Sequence, residues 1–450
     1  MISSGVTSMA ADVEETPQAR TRQSNIRLLL KNRNLARLVI AEAQSHLGSS
    51  MTEAAVPLIA AVSLHATPAQ VGLLVAVSYV ALLFGRLSAA LRAEKADIRI
   101  TSMIVIDLCA TVFVVAVPIL FFTGRLTILV LIVASAIRAY LDGAYGTFAG
   151  PVVIEMVSPD EVPNANSISS VVGSAASVGG PGLTGLVIQF VALPATLIVD
   201  AATYLLSALL VAPLRKRTVI HASRQEPTAA DGGAVRGKIR GFLVVFNRNI
   251  GTTLIGGTLI CLVNGLALAL LPIYATRDLR LSPGSYAFML AGGAIGGIIG
   301  ASVAPGLARV FGHRRCLVIA PFVMLASFAA LTVAQPGWGA VAAVVSYELI
   351  GSFGAAVYVV LLMSSVPMQV PPGALARAFA VAAFSLDVGT AAGAGLGGLL
   401  ANLTGLRNAL LIGLTAGLVV LVVLLLVQFW MGRKWTQRAN NAVEEKNDGK

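Results

Sequence analysis

Charged residues are scarce in this chain of 450 residues, since only 12% are Asp, Glu, Lys or Arg. Its three cysteines, Cys109, Cys261 and Cys316, lack the spacing of a metal site and are expected to be free thiols. It has no glycine-rich phosphate loop, which argues against an ATP-driven pump. A soluble protein needs a larger charged surface than this, so we expect most of the chain to lie in lipid.

Long apolar segments are abundant instead: 56% of the residues are hydrophobic and the mean hydropathy is +0.83. A bilayer core about 30 Å thick requires roughly 20 apolar residues in a helix. The segments predict an all-α integral membrane protein with twelve transmembrane helices in two six-helix bundles. Their ranges are 35–63, 69–91, 101–122, 126–148, 165–190, 193–213, 250–275, 285–307, 316–335, 338–366, 374–401 and 408–431.

The two halves of the chain repeat each other at an offset of 215 positions. Asn32-Arg33-Asn34 recurs as Asn247-Arg248-Asn249, each just before a long apolar segment. The same offset relates Pro57 to Pro272, Leu64 to Leu279, Pro68 to Pro283, Gly85 to Gly300 and Arg99 to Arg314. Low complexity explains single glycine matches but explains the triplet poorly. The repeat predicts two bundles related by a pseudo-two-fold axis, an arrangement that many secondary transporters use to build a central site.

Charge placement predicts the domains and their topology. Most of the 32 Lys and Arg residues fall in the tails, the linker and loops on one side. Arg125, Arg277, Arg280 and Arg407 fall on the other side. This positive-inside pattern predicts a multi-pass protein of the inner (plasma) membrane with both termini in the cytoplasm, and it explains the basic balance without nucleic acid. The expected domains are a tail at 1–34, bundles at 35–213 and 248–431, a linker at 214–247 and a tail at 432–450.

A short loop carries the most specific motif. From Gly306 to Arg315 the sequence reads GLARVFGHRR, which resembles the loop signature of the major facilitator superfamily between helices 8 and 9. Its first-half copy keeps Gly85, but Glu94-Lys95 stands where Asp-Arg is usual. The resemblance implies gating roles for Gly85, Glu94, Lys95, Gly306, Gly312, Arg314 and Arg315.

Four further segments resemble the drug-proton antiporter branch that includes macrolide and siderophore exporters. They read SHLGSS at 45–50, PDEVPNAN at 159–166, DAATYLLSA at 200–208 and GGPGLTG at 179–185. In the last segment Thr184 replaces a glycine of the exporters' motif. Small residues let helices approach closely and proline permits a bend, so we expect a rocking hinge at Gly180, Pro181 and Gly185. Ordinary glycine packing in lipid is the alternative.

Ionisable residues within apolar segments are candidate coupling sites, because lipid excludes charges that serve no purpose. Glu42, His46, Ser49 and Glu53 share one helical face, and we expect this stripe to line a central cavity. Histidine titrates near neutral pH, so His46 or a neighbouring Glu is a candidate proton carrier. A packing role for His46 is the alternative.

Arg138 is similar to the arginine that the antiporter branch carries in its fourth helix. Asp142 lies one turn away and can pair with it. Asp107 in the third helix is at a similar depth and could compete for the same arginine. An exchange of partners between the two carboxylates is one hypothesis for coupling, and a fixed ion network is the other.

The second half offers fewer ionisable groups. Glu348 and Asp387 are candidate substrate or proton sites, and a cationic drug would suit them. Tyr347, Phe353, Tyr358 and Phe384 could add aromatic surface, although aromatic side chains in a bundle usually serve packing.

We therefore expect a monomeric secondary transporter, not an enzyme, with no cofactor or metal. Proton-coupled efflux of an amphipathic small molecule is the favoured activity. A proton- or sodium-coupled importer and a transport-dead sensor or scaffold remain open. A membrane-embedded transferase is disfavoured because the charges are spread over many helices.

Overall fold

The computed structural model describes residues 28–92, 96–216, 248–367, 375–423 and 425–426. This part of the chain is helical, without a β-strand, and contains twelve long helices. The first six are α1 Arg33–Leu58, α2 Pro68–Ala90, α3 Ala96–Phe122, α4 Ile128–Glu155, α5 Val162–Val187 and α6 Thr196–Val211. The second six are α7 Arg248–Ile273, α8 Pro283–Phe311, α9 His313–Val333, α10 Trp338–Ser365, α11 Leu375–Thr404 and α12 Leu406–Val423.

Ten of the described helices are long and apolar enough to cross a membrane. The other two are α1 and α5, which have 26 residues each. They fail on composition because α1 carries acidic residues and α5 is rich in Ser and Gly, while both pack among the other helices. The predicted all-α membrane fold with twelve helices is confirmed. The two polar helices are the ones expected at an interior cavity rather than against lipid.

The repeat in the sequence is also a repeat of local geometry. After α1 the chain forms a π-helical turn over Ile59–Ser63, and after α7 it forms the same turn over Tyr274–Asp278. His65 and Arg280, again 215 positions apart, both adopt positive φ angles, of 49° and 57°. A hydroxyl then caps the next helix, from Thr67 for α2 and from Ser282 for α8, and proline occupies the first turn of each.

The buried cores distinguish the two ends of the molecule. We call the end where α6 finishes and α7 begins the linker end, and the opposite end the far end. One continuous core at the far end includes Val71 and Leu197 of the first bundle and Leu270 and Ala401 of the second. At the linker end each bundle has a core of its own. The bundles are therefore joined at the far end and separate at the linker end.

Two glycine crossings hold the far ends together. Gly72 of α2 meets Gly398 of α11, where a Cβ on Gly72 would lie 2.7 Å from the Gly398 Cα. Gly185 of α5 meets Gly284 of α8, where a Cβ on Gly185 would lie 2.8 Å from the Gly284 carbonyl oxygen. Only glycine allows backbones to approach this closely. The crossings are counterparts under the pseudo-two-fold, since α2 corresponds to α8 and α5 to α11.

An arginine adds a third connection at the far end. The Arg277 guanidinium in the turn after α7 donates hydrogen bonds of 2.9 Å to the carbonyl oxygens of Ala61 and Ala66 in the first bundle. From the sequence, Arg277 is only a charge in a loop, because hydropathy does not show which residues a loop side chain contacts.

One loop is shorter than expected. The segment 149–164 was expected to be a loop carrying Glu155, but α4 continues through Glu155 and the connection covers 156–161. The Asn32 side chain caps α1 and also donates a 2.7 Å hydrogen bond to the Met156 carbonyl in this connection. Residues 1–27, 217–247 and 427–450 lie outside the described part, so the proposed tails and linker, and with them the domain boundaries, stay predictions.

Candidate functional site

The space between the bundles is bordered by side chains from both halves. The Glu53 side chain of α1 is accessible to solvent, yet protein lies on all sides of it. It therefore borders a space inside the molecule. His46, two turns earlier, is also exposed. Tyr79 of α2 lies close to Glu53 and also to Asp387 of α11, on the opposite bundle. We call this space the inner space.

An ion pair on α4 is the centre of a polar network in the first bundle. Arg138 forms a salt bridge with Asp142, as their four-residue spacing predicts. The Tyr204 hydroxyl of α6 donates a 2.9 Å hydrogen bond to Asp142, and Ser49 of α1 lies 2.8 Å from the same hydroxyl. Side chains of α4 and α6 thus hold the Asp142 carboxylate, and Ser49 connects the Tyr204 hydroxyl to the stripe on α1 that borders the inner space.

Two more carboxylates are attracted to the same arginine. Glu53 and Asp200 both lie close enough to interact electrostatically with Arg138. Asp200 is fully buried and accepts a 2.5 Å hydrogen bond from Thr52, which ties α6 to α1. Since one guanidinium faces three acidic groups in surroundings of low dielectric, the loss or gain of a proton at one changes the interaction with the others.

Asp107 is not paired with Arg138 in the observed state. It is fully buried on α3, and its carboxylate has no hydrogen bond of good geometry, although the Ser207 hydroxyl lies close to it. Its neighbours are Tyr145 and Ser207, whose hydroxyls lie 3.4 Å apart, and Arg138 makes no salt bridge with it. The exchange between Asp107 and Asp142 remains a prediction, and the observed state shows Asp142 as the partner.

Glu42 lies apart from the rest of its stripe. It is buried and accepts a 3.2 Å hydrogen bond from Ser169 of α5. His46 and Glu53 of the same stripe are exposed. The shared helical face therefore includes both a packed end and an accessible end, and the accessible end is nearer the Arg138 network.

The second bundle places its deep carboxylate on an irregular turn. Glu348 lies in the π-helical turn Tyr347–Gly351 of α10, and π turns within helices are frequent at functional sites. Tyr347 beside it donates a 3.2 Å hydrogen bond to Asn264 of α7 and contacts the Phe328 ring edge-on. Phe384 of α11 is exposed, whereas Tyr358 is buried in the core of this bundle and does not offer cavity surface.

Asp387 has a partner in the opposite bundle. Arg86 of α2 forms a salt bridge with Asp387 of α11, across the two bundles. Arg86 lies near the linker end of its helix, on the side where most of the Lys and Arg residues fall. A pair separated by 301 positions has no local signal in one sequence.

The predicted hinge residues have different contacts. Gly185 lies at the far-end crossing between bundles, whereas Gly180 packs within the first bundle, where an added Cβ would lie 2.9 Å from the Met51 nitrogen. Pro181 lies between them inside α5. Gly185 is thus the hinge candidate that touches the opposite bundle, and rocking about it remains a prediction.

The predicted gating residues lie mostly at the linker end. Gly312, with a φ angle of 88°, forms the tight turn between α8 and α9, and Arg314 and Arg315 are exposed in the first turn of α9. Gly306 is within α8 with open space beside it, whereas Gly85 lies inside α2 and packs against the Tyr140 backbone. Glu94 and Lys95 lie outside the described residues, so their role stays a prediction.

Comparison with known proteins agrees with this architecture. The family model described as Major Facilitator Superfamily matches residues 38–351 and 253–448. A search of curated proteins finds no match.

Solved structures share the fold at low sequence identity. A variant of the nucleoside transporter NupG superposes with a TM-score of 0.68 at 13% identity, covering 87% of this chain and 99% of that one. A bacterial homologue of the iron transporter ferroportin, in an inward-facing state, gives 0.65 at 16%, with coverages of 87% and 98%. A bacterial homologue of the human lysosomal transporter Spinster, inward-facing and unoccupied, gives 0.63 at 16%, with coverages of 88% and 94%. Identities this low establish the fold and leave the substrate open.

Proposed function

This chain belongs to the Major Facilitator Superfamily, and from that premise we propose that it exports an amphipathic small molecule in exchange for protons. The observation that carries the proposal is the network around Arg138, which brings a partly buried ion pair, two further carboxylates and a tyrosine together beside the inner space. Charges are kept in a membrane where transport of protons or substrate requires them.

Alternating access follows from the difference between the two ends. With both termini in the cytoplasm of a cell-membrane protein, the linker end is cytoplasmic and the separate cores there leave the inner space open to that side. Closing it would bring α5 toward α8 at the linker end, while Gly185 and its counterpart crossing act as the points of rotation. A single chain contains both bundles, so a monomer suffices.

Coupling uses the competition for Arg138. When a proton binds Glu53 or Asp142, the arginine loses one attraction and turns toward the remaining carboxylate, which moves α4 relative to α1 and α6. Since α1 also borders the inner space, a change in protonation alters the surface that a substrate contacts. Proton and substrate thereby exclude one another, as antiport requires.

Transport by reconstituted protein tests this proposal. Proteoliposomes with an acidic interior should accumulate ethidium or chloramphenicol by antiport, with the membrane potential clamped at zero. Neither probe is a weak base, so a pH gradient does not trap them passively. Arg138→Ala should reduce accumulation to that of protein-free liposomes, because it removes the shared cation of the network. Arg125→Ala, in an exposed loop at the far end, should leave accumulation unchanged.

The same vesicles separate the rival functions. Accumulation driven by an alkaline interior would indicate a proton-coupled importer, and accumulation driven only by a sodium gradient would indicate sodium coupling. Undiminished antiport by Arg138→Ala would overturn the proposed role of the network. Absence of transport for every gradient would favour the sensor or scaffold alternative.

A further inference from the structure

Most charges that border the inner space already have partners. Arg138 pairs with Asp142, and Arg86 pairs with Asp387. Glu348, by contrast, takes part in no salt bridge among the described residues. Of the two acids proposed for the second bundle, Asp387 is neutralised and Glu348 keeps an uncompensated negative charge whenever it is ionised.

The helix packed against Glu348 is shaped to leave room for its carboxylate. A Cβ on Gly293 of α8 would contact a Glu348 carboxylate oxygen and would lie 3.2 Å from the Ser352 hydroxyl. Gly292, the preceding residue, faces Glu348 only at 4.0 Å. Gly293 is therefore the position where a side chain would displace the carboxylate, and the π-helical turn of α10 directs Glu348 toward it.

A tyrosine next to Glu348 connects it to the inner space. Tyr347 and the buried Tyr286 both lie within electrostatic reach of Glu348. The Tyr347 ring is held by Phe328, at a centroid distance of 5.8 Å, and its hydroxyl contacts Asn264 of α7. Asn264 is exposed and lies one turn from Cys261, which is close to Asp387 and Tyr79 at the inner space. Tyr347 is therefore the aromatic side chain that joins Glu348 to the inner space.

We infer that Glu348, with the ring of Tyr347, binds the charged centre of an amphipathic organic cation and so selects the substrate class. An unpaired carboxylate attracts the cation, and aromatic faces stabilise a delocalised or alkylated charge better than a small hydrated ion. The inference rests on the proposed function for its transport context, but the binding step needs no proton gradient.

Equilibrium dialysis of the full-length chain in detergent tests the binding step, with tetraphenylphosphonium as the cation and chloramphenicol as the neutral probe. Glu348→Gln should weaken tetraphenylphosphonium binding about tenfold or more, because it removes the charge but keeps the shape. Chloramphenicol binding should change little. Glu161→Gln, on the exposed connection between α4 and α5, is the matched control and should bind both probes as the wild type does.

A glycine pair separates charge from geometry. Gly293→Ala keeps the Glu348 carboxylate but displaces it, so it should weaken tetraphenylphosphonium binding as Glu348→Gln does. Gly292→Ala should bind tetraphenylphosphonium as the wild type does. Equal tetraphenylphosphonium binding by the wild type and Glu348→Gln, or no binding by the wild type, overturns the inference. If Glu348→Gln still carries out proton-driven chloramphenicol transport, the proposed function stands whatever the cation result. If tetraphenylphosphonium binding depends on Glu348 but no gradient drives transport, the proposed antiport is wrong and the cation site stands.

Discussion

The two bundles share a backbone design and differ in their buried charges. Both have the π-helical turn, the positive φ angle and the capped proline start at positions 215 apart. The charges follow no such rule, since Arg138 corresponds to Phe353 and Asp107 to Phe322. Glu348 in turn corresponds to Val133. The comparison teaches that packing constraints maintain the repeat, whereas charges remain only where a half uses them.

The largest effects on transport should come from the shared backbone design. Gly185→Ala and Gly398→Ala each place a methyl group against the backbone of the opposite bundle, at 2.7 Å from the Phe288 nitrogen and 2.6 Å from the Pro68 carbonyl oxygen. We expect each substitution to remove most transport, because strain of about 1 to 3 kcal/mol falls on the joined far end. Uptake by proteoliposomes measures it.

The chain supplies matched controls for both crossings. Gly182 and Gly395 lie one turn from the crossing glycines, and an added Cβ would meet only ordinary contacts at 3.7 and 3.6 Å. Gly182→Ala and Gly395→Ala should therefore transport normally. If transport is lost for the variant at one crossing and kept for the variant at the other, the two crossings do not act as equivalent points of rotation.

The largest effect on stability concerns the charges that only the first bundle carries. Asp142→Asn leaves Arg138 without its salt-bridge partner, which should reduce stability by about 3 to 5 kcal/mol. Asp107→Asn removes a buried charge that has no salt-bridge partner among the described residues, so we expect a change below about 1 kcal/mol or a gain. Thermal unfolding of both variants in one detergent compares them. Similar losses would mean that Asp107 also belongs to the ion network.

The smallest effect should come from the salt bridge between the bundles. Arg86 is about half exposed, so Arg86→Gln and Asp387→Asn should show a coupling energy of about 0.5 to 1 kcal/mol in a double-mutant cycle of thermal unfolding. Because this pair crosses the bundles, each single variant should also alter the transport rate. The pair Arg99–Glu155 lies within the first bundle and its variants should leave the rate unchanged. Equal rate changes for both pairs would deny Arg86–Asp387 a role in bundle motion.

Features with a local cause could be predicted from the sequence. Ten of the twelve helices follow from apolar length, and the Arg138–Asp142 pair follows from a four-residue spacing on one helix. The turn at Gly312 follows from a glycine between two helices. Each depends on residues within a few positions of each other, where helical geometry determines which side chains can contact one another.

Features that join distant segments could not be predicted in this way. Asp387 was a candidate substrate or proton site and nothing in the sequence connected it with Arg86, yet the two form a salt bridge. Gly293 had no distinguishing signal among the many glycines of α8, although it alone there faces the Glu348 carboxylate in close contact. Such contacts depend on how each helix is rotated and where it crosses its neighbours. The residue spacing within one helix contains neither kind of information.

The sequence by itself determined that most of the chain lies in lipid, how many helices it forms, that its halves repeat and which few charges lie within the apolar segments. Hydropathy, helix length and repeat offset can each be read directly along the chain. Only the tertiary structure decided which of those charges are paired, which end of the molecule is closed and which glycines let the bundles touch. Those outcomes depend on the packing of helices that are far apart in the sequence. Rotating a helix about its axis decides whether a side chain faces a partner on another helix or an open cavity.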